Sequence, residues 1–111
     1  VTNKALYLAE PLLTGLALRH RAAVLVGGDS TPHSKPHPAP LLEAARRTGV
    51  EASACIYIGD DLRDVQAGHA AGMVTLAAAW GYLGDGTPID AWGAQGVLAE
   101  PAALLQWLQL A

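Results

Sequence analysis

Cys55-Ile56-Tyr57-Ile58-Gly59-Asp60-Asp61-Leu62-Arg63-Asp64 is the stretch that decides how this chain is read. A short apolar, partly β-branched run closes on a glycine, the pattern of a buried strand ending at a tight turn. Three carboxylates, Asp60, Asp61 and Asp64, then fall within five positions. Residues just past the C-terminal ends of strands line the ligand crevice of open α/β sheets. Like charges gathered there repel, and a hard cation such as Mg²⁺, which prefers carboxylate and water oxygens, relieves the repulsion. The competing reading is a solvated loop whose acids cap the following helix.

Outward from that stretch, apolar runs and helical periodicities alternate. Val1-Thr2-Asn3 reads as the end of a strand. A helix follows over Lys4–Leu18, with Leu6, Leu13 and Leu16 at helical spacing and a break or kink expected near Pro11. Arg19–Arg21 is a polar connection, Ala22–Val26 a short apolar strand, and Asp29–Pro38 a proline-rich loop. The next helix covers Ala39–Thr48, with Pro40 in its first turn, Gly49 at its end, and Leu41, Leu42, Ala45 and Val50 on its apolar side. The central strand, Ala54–Ile58, leads through the acidic turn into a helix over Leu62–Ala71 that Gly72 stops. A strand over Val74–Ala79, a loop over Trp80–Asp90 and a short strand over Gln95–Leu98 come next. Glu100-Pro101 opens a last helix carrying Leu104, Leu105 and Leu108. Repeated βα units predict an α/β domain, a mainly parallel sheet with helices on both faces, occupying residues 1–111 without a dividing linker.

Composition narrows the function. At 111 residues and 51% hydrophobic content, one small domain with a real core is expected. Lys and Arg number 7 and are scattered in a chain of net charge −3, which argues against nucleic acid as a partner. The longest uncharged stretch, Ala70–Gly84, is shorter than the roughly 20 apolar residues that span a bilayer, so no membrane partner is expected. The single cysteine, Cys55, cannot close an intrachain disulfide; it reads as a small buried hydrophobe and fits a reducing cytoplasm.

Three further places carry chemistry. Thr2-Asn3 puts a hydroxyl and an amide before a helix, where free N–H groups attract anions; Thr2 is equally suited to cap that helix. Lys35, in Ser34-Lys35-Pro36-His37-Pro38, is the only lysine after Lys4 and sits on a backbone stiffened by proline. A solvated loop lysine is its other reading. The neighbouring His33 and His37 lack a third ligand at zinc spacing. Trp80-Gly81-Tyr82 puts aromatics in a glycine-rich loop, at the mouth of a site or packed onto the domain. Taken in order, hydroxyl, lysine and glycine–acid turn converge on one crevice. Thr2 and Lys35 would hold a phosphate there, with the acids holding Mg²⁺ against it. Such a site performs phosphoryl transfer once it has a nucleophile.

This pattern resembles the haloacid dehalogenase-like hydrolase superfamily, in particular its phosphoglycolate phosphatase group. Val1-Thr2-Asn3-Lys4 is similar to the family's second motif, in which the Thr hydroxyl binds the phosphoryl group. Lys35-Pro36-His37-Pro38 is similar to the third, whose lysine neutralises phosphate and nucleophile. Gly59-Asp60-Asp61-Leu62-Arg63-Asp64 matches the fourth, Gly-Asp-x-x-x-Asp. The resemblance implies a three-layer Rossmann-like core and a cytoplasmic enzyme for a small phosphorylated metabolite. It further implies Thr2 and Lys35 as catalytic, Thr2, Asn3 and Lys35 as phosphate-binding, and Asp60 and Asp64 as Mg²⁺ residues, with Asp61 not required. The expected chemistry is Mg²⁺-dependent hydrolysis of a phosphomonoester through an aspartyl-phosphate. Phosphoglycolate is the leading substrate, and N-acetylmuramic acid 6-phosphate or another sugar phosphate the alternative.

The first motif of that family, Asp-x-Asp-Gly-Thr, which carries the nucleophile, is absent from these residues, and Asp85-Gly86-Thr87-Pro88 is no displaced copy. The substrate-selecting cap is absent too. The chain thus resembles the C-terminal portion of an incomplete core domain, expected to be inactive alone. The family's first-motif strand lies between the second- and fourth-motif strands. Without it, two apolar sheet edges stay unpaired and invite association. A non-catalytic binding module is the other class of function the chain could serve. A receiver-like signalling domain is disfavoured, because there the acids precede the lysine.

Overall fold

The computed structural model describes residues 1–81 and 86–108; Tyr82 and Asp85, named above, lie outside them. The sheet is built from β1 (Ile56–Gly59), β2 (Val74–Ala78) and β3 (Gly96–Leu98), in that order, all parallel. Ile56 pairs with Val74 and Gly59 with Ala77, while Leu76 pairs with Gly96 and Ala78 with Leu98. The central strand is β2, where Thr75, Leu76 and Ala77 are fully buried. All four β1 residues remain partly exposed, because β1 has a strand neighbour on one side only among the described residues.

Four α-helices accompany the described sheet: α1 (Leu6–Gly15), α2 (Ala39–Thr48), α3 (Leu62–Ala71) and α4 (Leu104–Trp107). Between β1 and β2 runs α3, packed on both, and α2 packs on α3. Leu41 and Ala45 from α2 meet Ala67 and Ala71 from α3 and Met73, with Tyr57 and Cys55 against them. A second cluster joins Val65 and Ala77 to Trp92 of the loop before β3. This is the parallel sheet with helices that the βα alternation predicts.

Punctuation residues place the helix ends well. Pro40 sits in the first turn of α2, while Gly49 (φ 71°) and Gly72 (φ 78°) end α2 and α3 in the left-handed conformation that glycine adopts freely. β1 begins two residues later than predicted, after a 3₁₀ turn at Ala52–Ala54. α1 is not broken at Pro11: it runs continuously across that residue and stops at Gly15, short of Leu18, with Ala17 at φ 58°.

Four expectations need correction. The predicted strand Ala22–Val26 forms no ladder: Val26 is fully buried, yet its carbonyl accepts a single bond from the Thr2 N–H at 3.0 Å. Apolar character there reports burial, which a strand and an extended segment share. Likewise Val1–Asn3 is not a strand: the segment bends at Asn3 and Lys4. On α2, only Leu41 and Ala45 of the predicted apolar side are buried, and Leu42 and Val50 face out. The last helix is a 3₁₀ turn at Pro101–Ala103 followed by α4, and Leu105 and Leu108 are exposed. No helix of the described residues is long and apolar enough to cross a membrane.

Candidate functional site

The C-terminal end of β1 delivers the acidic turn, and local capping chemistry sets its shape. Asp61 is the N-cap of α3, in extended conformation, and its Oδ1 accepts the Arg63 N–H at 2.9 Å. Asp64, three residues on, turns back to complete a capping box. Its Oδ2 accepts the backbone N–H groups of Asp60 (3.1 Å) and Asp61 (3.2 Å). The capping role is therefore real, and it falls to Asp61 and Asp64. The Arg63 side chain and N–H hold the Asp61 carboxyl below the usual carboxylate range.

Asp64 is 4% exposed, and its second oxygen is engaged as well. Lys35 Nζ donates to Oδ1 at 2.5 Å, and the Tyr57 hydroxyl lies 3.3 Å from the same oxygen and 3.2 Å from Lys35 Nζ. A buried carboxylate is tolerated only when paired and hydrogen-bonded, and this one is both. Burial, then the charge of Asp64, push the Tyr57 hydroxyl well above its ordinary pKa, so it stays a neutral donor. Tyr57 is a site residue that sequence reading missed. The available signal was a hydroxyl placed two residues before the glycine of the turn.

Lys35 reaches this point from a loop that the N-terminal segment holds. The Lys35 N–H donates to Asn3 Oδ1 at 2.9 Å, and Asn3 Nδ2 donates to the Lys35 carbonyl at 3.1 Å. Thr2 does not cap α1. Its Oγ1 accepts the Lys4 N–H at 3.1 Å in a local turn. The Leu6 N–H that opens α1 bonds to Asp29 Oδ1 at 2.9 Å, so a carboxylate of the chain already occupies that helix start. His33 and His37 stack at 4.3 Å beside the lysine loop.

Thr2, Asn3, Lys35, Asp60 and Asp64, drawn from three separate segments, line one cleft of about 220 Å³ together with Lys4, Asp61 and Arg63. Beside it a hollow of about 360 Å³ is lined by Val1, Thr2 and Tyr57–Asp60, with Ala78 and Trp80 also lining it. Asp60 is exposed and lines both. Mg²⁺ is commonly held by one or two carboxylates, with water and phosphate oxygens completing six positions. Asp60, with Asp64 beside it, fits that partial donor set. Among the described residues no group of three or more His, Cys, Asp or Glu gathers to hold a metal without such help.

Residues 1–78 match the family model described as haloacid dehalogenase-like hydrolase. A phosphoglycolate phosphatase of Xanthomonas campestris pv. campestris is 51% identical over 94% of this chain and 47% of its own length. An N-acetylmuramic acid 6-phosphate phosphatase of Pseudomonas aeruginosa is 40% identical over 100% of this chain and 49% of its own. Among solved structures, a predicted phosphoglycolate phosphatase from Haemophilus somnus superposes with a TM-score of 0.88 at 30% identity, over 98% of this chain and 48% of that one. The chain spans about half the length of the curated relatives it matches. Glycine–acid turn, proline-flanked lysine and Thr-Asn segment all fall inside the matched region, and the chain belongs to the haloacid dehalogenase-like hydrolase family.

Proposed function

We propose that this chain supplies the phosphate- and cation-binding part of a Mg²⁺-dependent phosphomonoester hydrolase acting on a small phosphorylated metabolite. The observation that carries the reading is the meeting of Thr2, Lys35, Asp60 and Asp64 in one cleft, in a chain 51% identical to a phosphoglycolate phosphatase. The Thr2 hydroxyl, whose oxygen already accepts from Lys4, keeps its proton to donate to a phosphoryl oxygen. Lys35 brings a positive charge to where negative charge develops in the transition state. Asp64 orients Lys35 and the turn, leaving Asp60 as the carboxylate that meets the cation. When bound, Mg²⁺ neutralises phosphate charge and helps align the reacting oxygens.

The nucleophile of this route is an aspartate on a segment outside these residues, forming an aspartyl-phosphate. We place that segment along the free β1 edge, in the hollow facing Val1-Thr2. There it would pair the unmatched backbone groups of β1 and project its acid toward Thr2, Lys35 and Asp60. Phosphoglycolate is the favoured substrate, since the phosphoglycolate phosphatase of X. campestris is more similar to this chain, at 51% identity, than the N-acetylmuramic acid 6-phosphate phosphatase of P. aeruginosa, at 40%.

The test is release of phosphate from 2-phosphoglycolate and from N-acetylmuramic acid 6-phosphate, with Mg²⁺ or with chelator. The 111-residue chain is assayed alone and after addition of a strand-length peptide carrying Asp-x-Asp-Gly-Thr. Turnover only with peptide and Mg²⁺, abolished by Asp60→Ala, is the expected result. Robust turnover by the chain alone would refute the assignment of the nucleophile to another segment.

A further inference from the structure

We propose that Asn3 is the positioning residue of Lys35: its carboxamide clamps the lysine's backbone and so fixes the ammonium relative to Thr2. This rests on the reading above that Lys35 meets the phosphoryl group. Ser34 to His37 form a turn closed by the His37 N–H on the Ser34 carbonyl at 3.0 Å. Lys35 is the second residue of that turn, so neither its N–H nor its carbonyl takes part in the closing bond. Pro32, Pro36 and Pro38 remove N–H donors from the same loop, leaving few local donors for the Lys35 carbonyl. Asn3 engages both at once, at 2.9 and 3.1 Å, across 32 residues of sequence. An amide carries donor and acceptor at the spacing of a peptide group, which a carboxylate or a hydroxyl does not.

The clamp is itself braced. A Cβ built on Gly28 would fall 2.0 Å from the Asn3 carbonyl oxygen, so the backbone of Gly28 lies directly against that of Asn3. The Gly28 N–H donates to the Lys4 carbonyl at 2.8 Å, holding the same turn from its other side. Asn3 follows Thr2, so one rigid turn presents the hydroxyl and sets the lysine loop. Asn3 Oδ1 and one Nδ2 hydrogen are engaged on Lys35, so the residue acts through the lysine.

A double-mutant cycle tests this on the 111-residue chain, with inorganic phosphate plus Mg²⁺ as probe and affinity read by calorimetry. The variants are Asn3→Ala, Lys35→Gln, which keeps a donor for Asp64, and the pair. Asn3→Ala is expected to weaken phosphate by about tenfold where Lys35 is present and to have no effect where it is replaced, the signature of coupled neighbours. Equal losses in both backgrounds would overturn the proposal, since Asn3 would then touch the anion itself or act on the fold at large. No loss in either would overturn it too. Unchanged binding in Lys35→Gln, or none in the unmodified chain, would overturn the underlying reading of Lys35 and this proposal with it. Asn3→Ser, too short to span both Lys35 groups, repeats the cycle if Asn3→Ala proves unfolded.

Discussion

Gly59 lies flat against the side chain of Asp64: a Cβ built on the glycine would fall 2.2 Å from the Asp64 Cβ and 2.4 Å from its Oδ2. The glycine that ends β1 therefore also makes room for the buried acid. Gly59→Ala is expected to push Asp64 off its four partners and to destabilise the chain by about 1–3 kcal/mol, the usual cost of overpacking. Urea unfolding measures the loss. A variant as stable as the original would show that the turn relaxes freely.

Tyr57 contributes one oxygen to the Lys35–Asp64 pair, and that pair is largely dry, with side chains 12% and 6% exposed. Tyr57→Phe removes the oxygen and keeps the ring in the cluster with Met73 and Leu41. The cost should be about 1 kcal/mol at neutral pH, that of one hydrogen bond. The phenol's pKa is raised in the folded chain, by burial first. A raised value means the stabilisation is fully present below the ordinary tyrosine pKa of about 10 and is lost as pH climbs beyond it. Unfolding measured from neutral to alkaline pH should show a smaller alkaline loss in Tyr57→Phe. Parallel curves would remove Tyr57 as the source.

Asp61 gives the opposite sign. Its carboxyl is depressed by the Arg63 side chain and N–H, so its stabilisation is present above the unfolded carboxylate value and is lost as pH falls through the folded one. Asn caps helices about as well as Asp, so Asp61→Asn should cost little at neutral pH. The gap between the two proteins should close as the solution is acidified below the carboxylate range. A gap that widens on acidification would contradict the sign.

Local rules made the acidic turn legible before any coordinates. A strand closed by Gly59, an acid at the N-cap and another three residues on, and glycines after α2 and α3 each depend on neighbours within one turn. What stayed illegible depends on distant partners. Val26 is as apolar as any strand residue, but a ladder requires a neighbour that the run itself does not reveal. Tyr57 counted as one more apolar strand position, because alternation records the ring and ignores the hydroxyl. The Asn3 clamp on Lys35 joins positions 32 residues apart, which no local pattern reveals. Leu105 and Leu108 repeat on one side of α4, yet periodicity says nothing of what stands opposite, and both are exposed.

Asp60 has its own close neighbour in Gly81. A Cβ on that glycine would lie 2.3 Å from both the Cβ and the Oδ2 of Asp60. The loop after β2 thus backs the one acid of the cleft that is left exposed for a cation. Gly81→Ala should turn Asp60 away and weaken Mg²⁺ by about tenfold, the order set by losing one charged contact of 1–2 kcal/mol. Stability should barely change, since both residues lie at the surface of the cleft. Asp60→Asn should lose Mg²⁺ binding altogether and be insensitive to a further Gly81→Ala change. Calorimetric titration of the 111-residue chain with Mg²⁺ in the presence of inorganic phosphate reads all three variants. Tight Mg²⁺ binding that survives Asp60→Asn would move the cation to Asp64 and force Lys35 off that carboxylate.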